Sequence, residues 1–280
     1  MISISIIGKK GSSARREITK GCGIKLFTGQ KTDAIINYGV SGESLSSFFK
    51  KHPIAKSIMI LNREVGQSKY NTVLRAKECG IIIPESKLSL DKDDVLSEWI
   101  EKRAHSSQGY GIKEATKRTA IAGKYYQKMI NNRRYELRVH SFLWLPKDKW
   151  TVNKRIGPQE QIAWNFHQGG HFRSINNHNA GLFLKAKDIS EEVLKMLKMA
   201  FGAVDFIVDS ESNLLFLEVN SSPGFTDFNK AVYMEAMNEL KTLSVEEVNK
   251  LCFGGNKCLS SQIRSILSST KRKLTGTRKG

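Results

Sequence analysis

The chain has 280 residues, 40% of them hydrophobic, with 45 Lys or Arg against 27 Asp or Glu and a formal charge of +18. That is enough chain for one large domain or two to three small ones with a substantial core, and no apolar run approaches the roughly 18 residues of a membrane span. The four cysteines, Cys22, Cys79, Cys252 and Cys258, form no CxxC pair; they argue against a zinc site and read as free thiols in a reducing cytoplasm.

The N-terminus, MISISIIGKKG, places its apolar residues before its lysines. A secretory signal needs the reverse order, so residues 2–7 read as a first strand. Residues 34–39 and 57–62 read as further strands, and residues 42–52 and 70–80 as helices, the second closed by Gly80. IIIP, residues 81–84, reads as a short strand stopped by proline. Strands alternating with helices predict a small α/β layer on a parallel sheet over residues 1–85.

From residue 86 the pattern changes. Residues 96–112 hold a strand followed by a Ser/Gly-rich turn, and residues 124–130 and 135–145 are strand candidates. SEEVLKMLKMAFG, residues 190–202, reads as an amphipathic helix capped by Ser190, with two glutamates in its first turn and Gly202 at its end. Residues 203–220 then form a hairpin of two apolar strands around Ser-Glu-Ser-Asn.

Charge is unevenly spread. Residues 101–180 hold 15 Lys or Arg and five acids, and residues 256–280 hold seven Lys or Arg and no acid. A basic tail commonly is a solvated end, and this one reads as disordered. A basic, glycine-containing middle suggests a polyanion in a cleft, either nucleotide phosphate or nucleic acid.

Three constellations could carry chemistry. Glu218 and Asn220, two apart at a strand end, share a face, and Asp205 can join them across the hairpin. Two carboxylates and an amide oxygen are hard ligands that suit magnesium bridging to phosphate, although strand ends also carry such residues merely to cap turns. In KRAHSSQGYGI, residues 102–112, Lys102 leaves a strand and glycines follow, as a phosphate-approaching loop requires; the Walker order is absent, and alone it reads equally as a surface turn. In YYQKMI and YELRVH, Gln127 could sit near a base edge and Arg138 could meet a phosphate.

In their order these pieces resemble the ATP-grasp carboxylate–amine ligases, most closely the RimK-like branch, over about residues 60 to 225. EVNSSPG resembles the family's metal-binding strand end, FGAVDFIV its Gly-Val-Asp strand, KRAHSSQGYGI its phosphate loop and YQKMI its adenine hinge. NKR (153–155) and HFRSINN (171–177) resemble its Lys-Arg and Phe-Arg-Ser-Asn segments, with either Asn176 or Asn177 matching the asparagine. Lys128 stands where the family often has glutamate, and WNFHQGGH (164–171), with His167 and His171, has no clear counterpart.

The resemblance implies an α/β and α+β ATP-grasp fold. A pre-domain would cover residues 1–85, a central subdomain 86–130 and a C-terminal subdomain 131–255, before the tail at 256–280. Asp205, Glu218 and Asn220 would bind two Mg2+ ions, with Mn2+ as the alternative. Lys102, Ser107, Gln108, Gly109 and Gly111 would hold ATP phosphates, the turn at 106–111 acting as a lid. Gln127, Lys128, Met129 and Ile130 would form the adenine hinge, and Arg138 would lie on the strand after it. Arg155 and Arg173 would face the transferred phosphate and acyl group. The implied activity is ATP-dependent amide formation through an acylphosphate, which needs no Ser/His/Asp nucleophile, in the cytoplasm. The acid and amine are not written in the shared motifs; the basic cleft favours an acidic amino acid such as glutamate, or an acidic peptide.

Two rival readings stand beside it. One is an ATP-grasp relative that binds nucleotide without ligase activity. The other is a nucleic-acid-binding protein, for which Trp144, Trp150, Trp164, Phe166 and Phe172 in the basic middle would supply stacking. The second leaves Asp205, Glu218 and Asn220 unexplained, because acids repel phosphate unless a metal intervenes.

Overall fold

The computed structural model describes residues 1–9, 11–63, 65–105, 111–158, 161–162, 164, 170–173, 175, 181–226 and 229–254. The strands among them form three sheets.

The first sheet contains β1 (Ile4–Gly8), β2 (Lys25–Leu26), β3 (Ala34–Tyr38) and β4 (Met59–Leu61) in the order β2-β1-β3-β4, all parallel. Helices α1 (Ser13–Cys22), α2 (Gly42–Lys51) and α3 (Lys69–Glu78) accompany it. The sequence reading lacks α1 and β2. The Ser12 side chain accepts from the Arg15 N–H to open α1, and Gly23 closes it at φ 64°. Residues 81–84 belong to no strand: Ile81 N–H still bonds back to Ala76 at the end of α3, and only Ile82 offers its carbonyl to a strand, at Phe216. One isolated bond does not make a ladder.

The second sheet is antiparallel, in the order β5-β8-β6-β7, with β5 (Ser86–Lys87), β6 (Trp99–Arg103), β7 (Lys113–Glu114) and β8 (Lys124–Lys128). It has its own small core of Leu90, Trp99, Ala115 and Tyr126.

The third sheet is antiparallel too. It runs β11-β10-β9-β12-β13, from β9 (Arg133–Phe142), β10 (Thr151–Ile156), β11 (His171–Arg173), β12 (Phe201–Asp209) and β13 (Leu214–Asn220). Helix α4 (Gly181–Met196) packs on β9 and β12, while α5 (Lys230–Thr242) packs on α1. Helix α6 (Val245–Phe253) follows, opened by a capping box between Ser244 and Glu247. The helix expected at 190–202 is therefore displaced. Ser190 lies inside α4, buried and donating to the Ala186 carbonyl, and Gly202 belongs to β12. The apolar stripe extends back through Ala186 and Phe183, so the polar serine is an interior residue bonded to the preceding turn.

One contiguous core joins the first and third sheets. Trp144, Trp150 and Trp164 are all buried, so none of them presents a stacking face. Among the described residues no helix is long and apolar enough to cross a membrane, and Cys22, Cys79 and Cys252 are free thiols.

Candidate active site

The hairpin β12–β13 sets the geometry. Asp205 lies directly opposite Glu218, and Ala203 opposite Asn220, whereas Phe206 lies opposite Phe216. Leu217 is thus an extra residue, a bulge. Opposed residues share a face and neighbours alternate. Phe216 therefore turns to the core with Phe206, and the bulge sends Glu218 and Asn220 to the other face with Asp205. The Asn220 amide nitrogen lies 3.5 Å from Asp205 Oδ2 and 3.3 Å from Glu218 Oε1.

Each carboxylate already has a cation. Arg138, opposite Asp205 on β9, donates from Nε and Nη2 to its two oxygens at 2.7 and 2.6 Å. Lys69, the first residue of α3, stands 2.5 Å from Glu218 Oε2. Burial works to raise the Glu218 pKa, but Lys69, Lys102 and Arg138 outweigh it and hold the carboxyl well below the usual range. Burial also works to lower the Arg138 pKa; Asp205 outweighs it and keeps the guanidinium firmly charged.

A second pair continues this face. Arg155 on β10 donates to Glu136 at 2.7 Å and lies 3.5 Å from Asp205, and Arg133 donates to the other Glu136 oxygen at 3.1 Å. Burial pushes the Glu136 pKa up against the pull of Arg155 and Arg133. Among the described residues, the buried Nε of Arg155 has no hydrogen-bond partner. Both Arg155 and Arg138 stand over the ring of Phe172, at 4.8 and 5.3 Å from its centre.

Lys102 faces this cluster from the second sheet. It is buried and donates to Gln127 Oε1 at 2.9 Å. Burial lowers its pKa, opposed by the carboxylates of Glu218, Glu136 and Asp205.

The first sheet closes the site from a third side. Tyr38 donates to the Pro223 carbonyl at 2.5 Å. Gly39, at φ +82°, sits so near Ser222 that a Cβ would lie 2.3 Å from its Oγ. On the same face of β9 as Arg138, two residues on, His140 Nε2 meets the Asn229 amide at 3.0 Å and its Nδ1 meets Tyr233 at 3.1 Å. A cavity of about 400 Å³ opens between the ends of β1 and β3, the start of α3, residues 104–105 and the end of β13.

Other expected site residues are distributed as follows. Ser107, Gln108 and Gly109 lie outside the described residues, as do His167, Asn176 and Asn177. Gly111 has φ +80° and a Cβ there would meet Arg103. The backbone N–H groups of Lys128 and Met129 bond to Glu85 and Glu98, the Lys128 side chain reaches Glu98 at 3.4 Å, and the Ile130 carbonyl accepts from Arg133. Arg173 is exposed and opposes Lys154, which puts it on the sheet face away from Arg155 and Phe172. Lys69, Tyr38, Gly39 and His140 escape the sequence reading: the first three reach the site from elements distant in sequence, with no local spacing to mark them, whereas His140, two residues after Arg138 on β9, shares its face by strand period.

Asp205, Glu218 and Asn220 fit magnesium. The two carboxylates lie where positive charge is already accommodated, and turning the Asn220 amide about would present its oxygen in place of its nitrogen. Among the described residues no group of three or more His, Cys, Asp or Glu could hold a metal; in this trio an amide is the third donor.

Comparison with known proteins agrees with the geometry. Residues 154–243 match the family model of the RimK-like ATP-grasp domain. A probable alpha-L-glutamate ligase of Histophilus somni (strain 129Pt) is 27% identical over 221 residues, covering 71% of each chain. The ATP-grasp ligase PsnB, solved with a phosphomimetic variant of its minimal precursor, Mg and ADP, superposes with a TM-score of 0.60 at 12% identity, covering 87% of this chain and 99% of PsnB. The D-alanine–D-alanine ligase of Bacillus anthracis, solved with ATP, gives a TM-score of 0.60 at 14% identity, covering 88% and 97%. The chain thus has the fold of ATP-grasp ligases, and its residues 154–243 match the RimK-like ATP-grasp domain.

Proposed function

We propose that the chain is an ATP-dependent carboxylate–amine ligase that works through an acylphosphate. The observation that carries this reading is the convergence of Asp205, Glu218 and Asn220 with Lys69, Lys102, Arg138 and Arg155 where the three sheets meet. Magnesium held by Asp205, Glu218 and Asn220, as two ions or one, would supply positive charge at the phosphate oxygens.

The chain's own residues do the rest. Lys102 faces the phosphates from the second sheet, and residues 127–130 hold adenine. An oxygen of the substrate carboxylate attacks the γ-phosphorus, the bond to the β–γ bridging oxygen breaks, and ADP departs. Arg155 offers its Nε, without a partner among the described residues, to the charge gathering on the transferred group. Arg138 and Glu136 hold Asp205 and Arg155 in place, so little reorganises as charge moves. The amine then attacks the acyl carbon and loses a proton, and phosphate leaves with the former carboxylate oxygen. The relatives include a protein named as a glutamate ligase, and the proposed product is an amino acid such as glutamate joined to a peptide, a protein or a small molecule.

ADP release with Mg2+ and ATP, screened against amino acids and acidic peptides with product mass spectrometry, tests this. ADP release that needs both an acid and an amine, with an amide-mass product, is expected. Glu218→Gln should lower it roughly 100-fold or more while the circular dichroism spectrum is unchanged. Undiminished turnover by the folded variant would remove Glu218 from the site.

A further inference from the structure

The first sheet does more than close the cleft. Its order β2-β1-β3-β4 reverses direction between β1 and β3, and in open parallel sheets ligands bind outside the carboxyl ends of the strands at such a reversal. Lys9 follows β1 directly, and Gly39 and Ser41 follow β3; all three line the cavity that also reaches Glu218 and Asn220. Its volume of about 400 Å³ lies within the ~300–1,000 Å³ of small-molecule sites.

The cavity's charges are unbalanced. Its described lining holds one carboxylate, Glu218, and Lys69 already neutralises it. Lys9 is exposed and takes part in no ion pair among the described residues. Ser41, the N-cap of α2, also lines the cavity, and its side chain makes no capping bond to the helix. Glu43, in the first turn of α2, is exposed and is not part of the lining.

We propose that Lys9 is a specificity-determining residue: it binds a second carboxylate of the substrate, remote from the reacting group, with Ser41 as an additional donor. The proposal rests on the ligase reading for the reaction but not for binding. An amino acid or peptide end with two carboxylates spans the cavity, one end at Lys9 and the other at the Glu218–Asn220 edge. A neutral isostere leaves the Lys9 ammonium without its anion.

L-glutamate and L-glutamine differ only in that charge and are the probes. Calorimetric titration of each into the full chain with Mg2+ and ADP, and steady-state ADP release with each, should be repeated for Lys9→Met. The unaltered protein should bind glutamate at least about tenfold more tightly than glutamine, as one charge-assisted hydrogen bond implies. Lys9→Met should erase that preference, raise KM for glutamate by a similar factor, and leave kcat and the KM for ATP unchanged. Equal binding of the two probes by the unaltered protein, no binding of glutamate, or a preference that survives Lys9→Met would each overturn the assignment. Glutamate binding that depends on Lys9, without ADP release on any substrate pair, would sustain the subsite and remove the ligase reading instead.

Discussion

At the residue scale, the site is a face of alternating charges in which each buried ion has a partner. Such pairs contribute less to stability than to fixing geometry, because desolvation offsets much of their attraction. Asp205, Glu218 and Asn220 are legible in the sequence because strand period alone puts them together. Lys69 is not, because its distance along the chain from Glu218 carries no signal. His140 follows Arg138 by two residues on β9 and shares its face by that same period, and it carries the clearest pH consequence. Burial, with Arg138 and Arg155 nearby, lowers its pKa to about 3. The unfolded chain protonates this histidine below about pH 6.5 while the folded chain keeps it neutral. Its contribution is therefore fully present above about pH 6.5 and is lost as pH falls toward 3. Between pH 6.5 and 5 that amounts to about 2 kcal/mol. Urea unfolding at both pH values should show this loss, and His140→Gln, weaker at neutral pH, should show a smaller one. An identical pH dependence in the variant would mean that His140 already titrates normally in the fold.

At the element scale, the elements read correctly are those with a strong period or a clear stop. The β12–β13 hairpin, α2, α3 and β3 fall close to where composition puts them. The failures have physical causes. Helix α1 is rich in charge and carries only three buried residues, Ala14, Ile18 and Cys22, so its apolar stripe is thin. Residues 81–84 have strand composition but no partner strand. The bulge at Leu217 leaves no trace in composition, yet without it Phe216 and Glu218 would share a face. The junction of β3 with the end of β13 depends on Gly39, whose φ is positive and whose Cβ position Ser222 fills. Gly23 also has positive φ, 64°, but open space around it. Gly39→Ala should destabilise by at least about 2 kcal/mol, combining backbone strain and overpacking, and Gly23→Ala by about 1 kcal/mol. Urea midpoints of the two variants give the comparison; equal effects would mean that the β3–Ser222 contact relaxes without cost.

At the scale of the whole molecule, three sheets meet at one point, and each brings a different kind of group. The second sheet brings Lys102, the third the carboxylates and arginines, and the first Lys9, Tyr38 and Gly39. The excess of positive charge in residues 101–180 is spent partly on internal pairs, as at Arg133, Arg138 and Arg155, so it measures the cleft's polarity only in part. The order of motifs made the fold legible. The cavity was hidden because it is assembled from strand ends of separate sheets. The central claim is that the substrate's own carboxylate takes the phosphoryl group. With heavy-oxygen-labelled carboxylate substrate, amine and unlabelled ATP, the account predicts that each released phosphate carries one labelled oxygen, detected by mass spectrometry. Unlabelled phosphate alongside amide product would contradict it.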